Sequence, residues 1–279
     1  MKSPTSPRRL PLATLALCLL APGIAAAGSG PETEFTDGQW HYGASIYAFV
    51  PKITGDLHAP TPAGNAFDID ADDLIKNTKF AAMGRFEAQK GRWGLFADVL
   101  YMNVGDSISN SPTIGQGNLP LPPGVTADAS LDVEATAFTI AANYRAIATA
   151  TDTFDVFGGA RLLDAKTELE WQFNTPMGPL PPPLGQGRGE ANKDGWDGIV
   201  GIKGRHRFGA RRQWFVPYYV DAGTGASDFT WQAATGIGYS AGWGDMFLIW
   251  RHLDYDFGRD RMIANLQFSG PALGVAFTW

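Results

Sequence analysis

The feature that most constrains this chain is a pair of alternating apolar and polar runs joined by a short turn, KFAAMGRFEAQKGRWGLFADVLYMN at residues 79–103. Glycine accepts the positive φ of a tight turn, so the alternation predicts a β-hairpin that turns at Lys90 and Gly91. In that register Arg85 faces Phe96. One face of the hairpin is free of charge and has aromatic side chains at both ends. The other face carries Arg85, Glu87, Arg92 and Asp98.

Strand length favours a membrane barrel over a soluble sandwich. Alternation alone fits both, because a sandwich also buries one face of each sheet and wets the other. Each run, however, has at least the ~9–11 residues that a tilted strand needs to cross a bilayer. The terminal aromatic residues would lie at the level of the lipid headgroups. The hairpin therefore predicts an all-β fold, a transmembrane antiparallel up-and-down β-barrel.

The same alternation recurs along residues 39–279 and predicts about ten strands, or eight or twelve if one pair is merged or split. An even number places both termini on the periplasmic side. Three long connections rich in Pro and Gly are predicted to be outer loops, because polar backbone without partners is not tolerated in hydrocarbon. An acidic stretch in the first of them, residues 70–76, predicts a short helix. The three loops are residues 52–78, 105–130 and 172–195.

The N-terminus predicts export. Lys2, Arg8 and Arg9 precede an apolar run, and small residues follow it at positions 25–27. This pattern is typical of a secretory signal peptide, here residues 1–27. Residues 28–38 are then a periplasmic segment ahead of the barrel domain, residues 39–279.

Two other export signals fit the N-terminus less well. A lipoprotein signal has a small residue before its cysteine, whereas Leu17 precedes Cys18. A twin-arginine signal is disfavoured by Pro11 and by the missing consensus around the arginine pair. Since Cys18 is the only cysteine, removal of the signal peptide leaves no thiol and no disulfide. It also leaves 19 basic and 28 acidic side chains, and this net charge of −9 argues against nucleic acid as a partner.

Three motifs resemble a family of small Gram-negative outer-membrane β-barrel proteins: GRFEAQKGRWGLFADVLYMN at 84–103, DGIVGIKGR at 197–205 and GPALG at 270–274. The resemblance implies a porin-like barrel in the bacterial outer membrane, surrounded by lipid and lipopolysaccharide. It also implies insertion by the barrel-assembly machinery, which reads a terminal aromatic strand. It implies no activity. The assembly signal in this chain is Val275, Phe277 and Trp279.

Alternation points eleven charged side chains into the barrel. A small barrel has an interior just wide enough for side chains to fill, so arginines are expected to pair with carboxylates there. This predicts a braced and plugged lumen, with a narrow gated conduit as the alternative. Within it, the polar ends of Arg85, Glu87 and Asp98 are predicted to meet. The full lumen charge network is Arg85, Glu87, Asp98, Arg145, Asp155, Arg161, Asp197, Lys203, Arg205, Asp221 and Arg251.

Catalytic and metal sites have one candidate each. Omptin proteases and lipid A deacylases use His with Ser, Asp or Glu near the outer rim, and His252 lies near Asp254 and Asp256. Alternation, however, turns His252 towards lipid, so no catalytic residue is assigned. Asp68, Asp70, Asp72 and Asp73 offer oxygen ligands but lack the glycine and glutamate of an EF-hand loop, so neither a metal nor a cofactor is predicted.

The sequence therefore predicts an integral outer-membrane barrel without enzymatic activity, structural or allowing limited passive passage of small solutes. One alternative is a surface-binding barrel whose long outer loops contact a ligand, lipopolysaccharide or a host surface. A more remote alternative is a hydrolase with its site at the outer rim.

Overall fold

The computed structural model describes residues 38–57, 66–69, 78–109, 126–175, 178–179, 186–258 and 263–279. Within these ranges, no helix is long and apolar enough to cross a bilayer. The described residues form thirteen strands: β1 (Trp40–Phe49), β2 (Lys52–Leu57), β3 (Ala66–Ile69), β4 (Thr78–Lys90), β5 (Trp93–Ser109), β6 (Thr126–Ala148), β7 (Asp152–Thr175), β8 (Gly178–Pro179), β9 (Gln186–Phe208), β10 (Trp214–Gly225), β11 (Phe229–Ala241), β12 (Gly244–Asp256) and β13 (Ile263–Thr278).

The strands close into an antiparallel barrel, which confirms the predicted fold class. Neighbours in space follow the chain from β4 through β7 to β9 and on to β13, and β1 closes the ring by pairing with both β4 and β13. β2 continues β1 along the edge of β13 in the same register, so the two form one stave of the wall. With β3 and β8 as short additions, the wall has the ten strands that the alternation predicts.

The outer face of the wall is an apolar belt with an aromatic girdle at each edge. Exposed aliphatic side chains such as Ile46, Leu248 and Leu273 lie between the girdles. Named by the predicted orientation, the periplasmic girdle includes Trp40, Trp93, Trp214 and Trp243, and the outer girdle includes Trp196, Phe229 and Trp250. This is the surface that a bilayer requires of a spanning barrel.

The predicted hairpin is present, but its register is wrong by two residues. The turn consists of Gly91, with φ of 54°, and Arg92, so that Lys90 pairs with Trp93. Arg85 consequently faces Asp98 rather than Phe96. Because a shift of two residues preserves the alternation, every side chain of the hairpin keeps its predicted face.

The three predicted outer loops are too long, since much of each is strand. The first contains β2 and β3, the second loses its ends to β5 and β6, and the third loses its ends to β7 and β9. β6, β7 and β9 have 23, 24 and 23 residues, about twice the ~9–11 that cross a bilayer. They therefore project beyond the membrane as a paired sheet. The predicted helix at 70–76, the signal peptide and most of the periplasmic segment lie outside the described residues.

The polarity of the wall inverts where this projecting sheet begins. On β6 the outward side chains change from Phe138 and Ile140 to Glu134 and Asp132, which are exposed. The inward side chains of β6 and β7 change in the opposite sense, from ion-paired and polar groups to buried Val133, Leu163 and similar residues. Below this level the barrel has the pattern of a membrane protein, and above it the pattern of a water-soluble sheet with an apolar interior.

Candidate functional site: the barrel lumen

Opposite walls of the lower lumen are joined by ion pairs. Lys203 Nζ lies 2.9 Å from Glu87 Oε2, although three strands separate β9 from β4 around the ring. Arg205 Nη1 lies 2.9 Å from Asp245 Oδ2 on β12, with two strands between. Such pairs span the interior instead of following its surface, so they brace the cross-section of the barrel.

A third pair crosses the lumen at a higher level and belongs to a small network. Arg251 Nη2 lies 3.0 Å from Asp98 Oδ1, and Arg251 Nη1 donates to the hydroxyl of Tyr47 at 2.7 Å. The Tyr47 hydroxyl donates in turn to Asp98 at 3.1 Å, and Gln232 accepts a further hydrogen bond from Arg251 at 3.0 Å. The two buried charges thus have most of the hydrogen bonds that burial requires.

Further ion pairs in the lower lumen join neighbouring strands or lie within one strand. Arg145 Nε lies 2.9 Å from Asp155 Oδ1. The same carboxylate accepts from the Asn143 amide at 3.2 Å and lies 3.5 Å from Lys203 Nζ. Arg85 Nε lies 2.6 Å from Glu87 Oε1. The Arg85 guanidinium also stacks on Phe96, 4.3 Å from the ring centroid.

The remaining predicted charges lie higher on the walls of β7, β9 and β10. Arg161, fully buried, pairs with Asp221 and donates to the Thr139 hydroxyl at 3.2 Å. Asp197 accepts the backbone N–H of Ser227 at 2.8 Å and so ties β9 to the turn between β10 and β11. All eleven predicted side chains lie on the lumen side of the wall, but Arg85, Glu87 and Asp98 do not form one cluster. Asp98 bonds to Arg251 instead.

Several participants were missing from the sequence prediction. Asp245 adds a sixth carboxylate to the five predicted, which balances the six cations. The sequence could have indicated Asp245, because it lies at the start of β12 in an alternating position that faces the lumen. Tyr47, Asn143 and Gln232 are uncharged, so a search for charges alone does not find them. An aromatic group lies between the lower ion pairs and the Arg161–Asp221 pair and consists of Phe96, Phe157 and Tyr219. The rings of Phe157 and Tyr219 are stacked, with their centroids 5.1 Å apart.

An apolar layer fills the outer part of the lumen. Its members come from both sides of the ring and are almost completely buried, as shown by Ile53, Leu100, Leu253 and Phe268, none more than 2 % exposed. They belong to one continuous cluster with Met83, Met102, Val104, Val133, Tyr255 and Phe257. On the side of β7 and β10, the outer lumen contains the buried Arg161–Asp221 pair. This layer was not predicted, because an apolar barrel interior is unusual for a membrane barrel.

A cavity of about 280 Å³ lies beneath this layer. Its lining includes the ion pairs of Lys203, Arg205 and Arg251, and it reaches the periplasmic ends of β1 and β13 at Gly43 and Thr278. The lower lumen is therefore a polar vestibule on the periplasmic side of a packed apolar layer.

The C-terminal residues close the ring. Val275 pairs with Ile46, and Phe277 pairs with Ala44. Trp279 exchanges two backbone hydrogen bonds with Tyr42, at 2.8 and 3.0 Å. Phe277 and Trp279 are exposed on the lipid side in the periplasmic girdle.

The other candidate sites lie apart from the lumen. His252 faces outward and packs against Trp231, with ring centroids 4.6 Å apart, and its Nε2 lies 3.9 Å from Asp254. Asp68 lies in β3, and Asp70, Asp72 and Asp73 lie outside the described residues. Among the described residues, no group of three or more His, Cys, Asp or Glu side chains is arranged to hold a metal ion.

Neither the protein-family models nor the curated proteins contain a match to this chain. Among solved structures, it is similar to the outer membrane protease OmpT of Escherichia coli, with 11% identity over 88% of this chain and 98% of that one and a TM-score of 0.44. It is also similar to the translocator domain of the autotransporter NalP of Neisseria meningitidis, with 13% identity, 88% and 91% coverage and a TM-score of 0.38. Ail of Yersinia pestis follows at 9% identity, 86% and 98% coverage and a TM-score of 0.33. Similarity of this degree does not imply a shared activity.

Proposed function

We propose that this protein, an outer-membrane β-barrel, is a non-enzymatic structural barrel that does not conduct solutes. The observation that carries the proposal is the apolar layer in the outer lumen, whose side chains come from opposite walls and are almost completely buried. The ion pairs below it support the same role, because each of the pairs Lys203–Glu87, Arg205–Asp245 and Arg251–Asp98 obstructs the lumen as well as bracing it. The sequence also allowed limited passage of small solutes. Such passage would require both the apolar layer and the ion pairs below it to rearrange.

The positions of the candidate catalytic groups also support a non-enzymatic role. His252 packs against a tryptophan on the outer face instead of facing the lumenal carboxylates. Glu87, Asp98 and Asp155 each lie within 3.0 Å of a cation and serve as partners in structural ion pairs. A general acid or base, by contrast, needs access to a substrate proton.

Conductance measurements test the proposal directly. The refolded protein, inserted into planar bilayers, is expected to leave the current at background over the voltage range that the bilayer tolerates. A solute-permeability assay in liposomes is expected to give the rate of empty liposomes. Reproducible conductance steps, with liposome permeability to match, would refute a closed barrel.

A second function, binding at the cell surface, is favoured by the projecting sheet. Beyond a register shift after Arg145, β6 and β7 stay paired without a break to Thr126↔Asn174, and β7 and β9 stay paired to Gln172↔Gln186, far above the lipid belt. A flexible loop would lose entropy on binding, whereas a paired sheet is already ordered. The test is to join Val104 to Val133 and Ala165 to Lys193 by short turns. The function is supported if the shortened barrel still folds but cells that express it no longer adhere to host cells or to purified lipopolysaccharide. Unchanged adhesion argues against it.

A further inference from the structure

Among the described residues, the barrel wall has a gap between β1 and β4 on its outer side. These strands pair from Trp40↔Lys90 to Ile46↔Gly84, and beyond that point their described residues share no ladder. The stave formed by β1 and β2 continues along β13 and gains β3 on its other edge, whereas β4 continues along β5. The two edges of the wall therefore separate at the level of Tyr47 and Met83.

Three residues next to the separation fit a wall without a backbone ladder at this point. Phe49 N–H, on the edge that faces β4, donates to Met83 Sδ at 3.1 Å where a ladder would offer a carbonyl. Pro51 follows on the same edge and has no N–H to satisfy. Ala81 is exposed although it lies on the lumen side of β4, whereas its partner on β5, Met102, is 1% exposed.

The gap lies at the outer edge of the lipid belt. Ile46, just below the gap, and Leu273, which pairs with Ala48 beside it, are 69% and 63% exposed on the lipid side, and Lys52 just above it is exposed. The gap opens towards hydrocarbon, so a molecule that enters it from the membrane must do so with an apolar part. The lumen behind the gap is the apolar layer, here represented by Phe49, Met83 and Leu100.

We propose that this gap is a lateral binding site for the alkyl chain of an outer-leaflet amphiphile. The chain enters between Ala48 and Ala82 and displaces the Met83 side chain, which is flexible and adapts to apolar partners. It then lies against Phe49 and Leu100. Entry is from the membrane, so the site needs no continuous lumen and is independent of whether the barrel conducts.

A reversible disulfide across the gap tests the proposal. Extension of the β1–β4 register places Ala48 opposite Ala82, and Cys18 is the only native cysteine. The A48C/A82C variant, with A44C/F86C on the paired part of the same strands as the matched control, is refolded into liposomes that contain palmitate carrying a diazirine. After irradiation, the labelled residues are mapped by mass spectrometry. A single variant, Ala81→Trp, fills the gap without a disulfide.

Labelling of Phe49, Met83 or Leu100 is expected in the wild-type protein and in the oxidised control. It is expected to be lost in oxidised A48C/A82C and in Ala81→Trp, and to return in A48C/A82C on reduction. Labelling limited to lipid-facing residues such as Ile46 and Leu273 in every variant would overturn the proposal. Lumenal labelling that persists in Ala81→Trp and is unaffected by oxidation of A48C/A82C would overturn it too, because the probe would then enter by another route.

Discussion

Arg251 and Asp98 lie on opposite walls of the barrel, with three strands between them around the ring, and their side chains meet at 3.0 Å in its interior. Tyr47 and Gln232 add further hydrogen bonds to the pair. A contact of this kind has no local origin, because the two residues are 153 positions apart in the chain. It forms only when the ring has closed, so its energy stabilises the closed barrel.

Asp98→Ala tests the weight of this contact. The change leaves Arg251 buried without its counter-ion, and we expect the free energy of unfolding to fall by roughly 3–5 kcal/mol. The measurement is urea-induced unfolding in liposomes. Arg188→Ala, which breaks an exposed pair with Glu168, is the control and should cost at most about 1 kcal/mol. Equal effects of the two changes would mean that the lumenal pair is not a structural brace.

Removal of a lower brace is expected to leave the barrel closed. Glu87→Ala frees Lys203 and Arg85 from their shared carboxylate but does not alter the apolar layer above them. The conductance of this variant in planar bilayers should therefore stay at background while its unfolding midpoint falls. A variant that conducts with an unchanged midpoint would identify the pair as a gate.

The orientation of the barrel can be read from two single cysteines. Glu170→Cys lies on β7 in the projecting sheet, and Thr151→Cys lies in the short turn before β7. In intact cells, a membrane-impermeant maleimide should label Glu170→Cys alone, and permeabilisation of the outer membrane should expose Thr151→Cys. The reverse pattern would require an inverted barrel.

Deletion of residues 277–279 is expected to prevent closure. It removes the hydrogen bonds between Trp279 and Tyr42 and shortens the ladder between β1 and β13. Open strand edges are not tolerated in lipid. The heat-modifiable folded band on a gel should disappear. The single change Trp279→Phe, which keeps the backbone bonds and an aromatic ring, should retain it, and folding of the deletion variant would show that closure does not depend on these residues.

The membrane-spanning part of the wall was predictable because alternation has a period of two and a bilayer fixes its length. Residues such as Arg161 and Val200 could be placed inside or outside the barrel without knowledge of register, since a shift by two residues leaves the faces unchanged. The partners of those residues could not be placed. The turn at Gly91 set the hairpin register, and contacts across the ring, such as Lys203 with Glu87, depend on closure and on strand order.

The ends of the projecting sheet escaped prediction because their sequence resembles a polar loop. The strand residues that fall inside the predicted loops are mostly small and polar, and they adjoin stretches rich in proline and glycine: residues 105–109, 126–130, 172–175 and 186–195. The predicted outer-membrane location does not depend on that error, because the apolar belt and its two girdles lie below the sheet.

The polarity of the wall inverts near Phe138 and Leu162, so each long strand lies in lipid along one part of its length and in water along the other. Lipid selects the outward side chains below this boundary, and water selects them above it. Substitutions on the two sides therefore obey different rules: a charge that would be excluded at Ile140 is native at Glu134. The upper part is in effect a water-soluble cap continuous with a membrane base. Such a cap can diversify its exposed surface, or be grafted onto another ten-stranded base, without any change in the part that the membrane constrains.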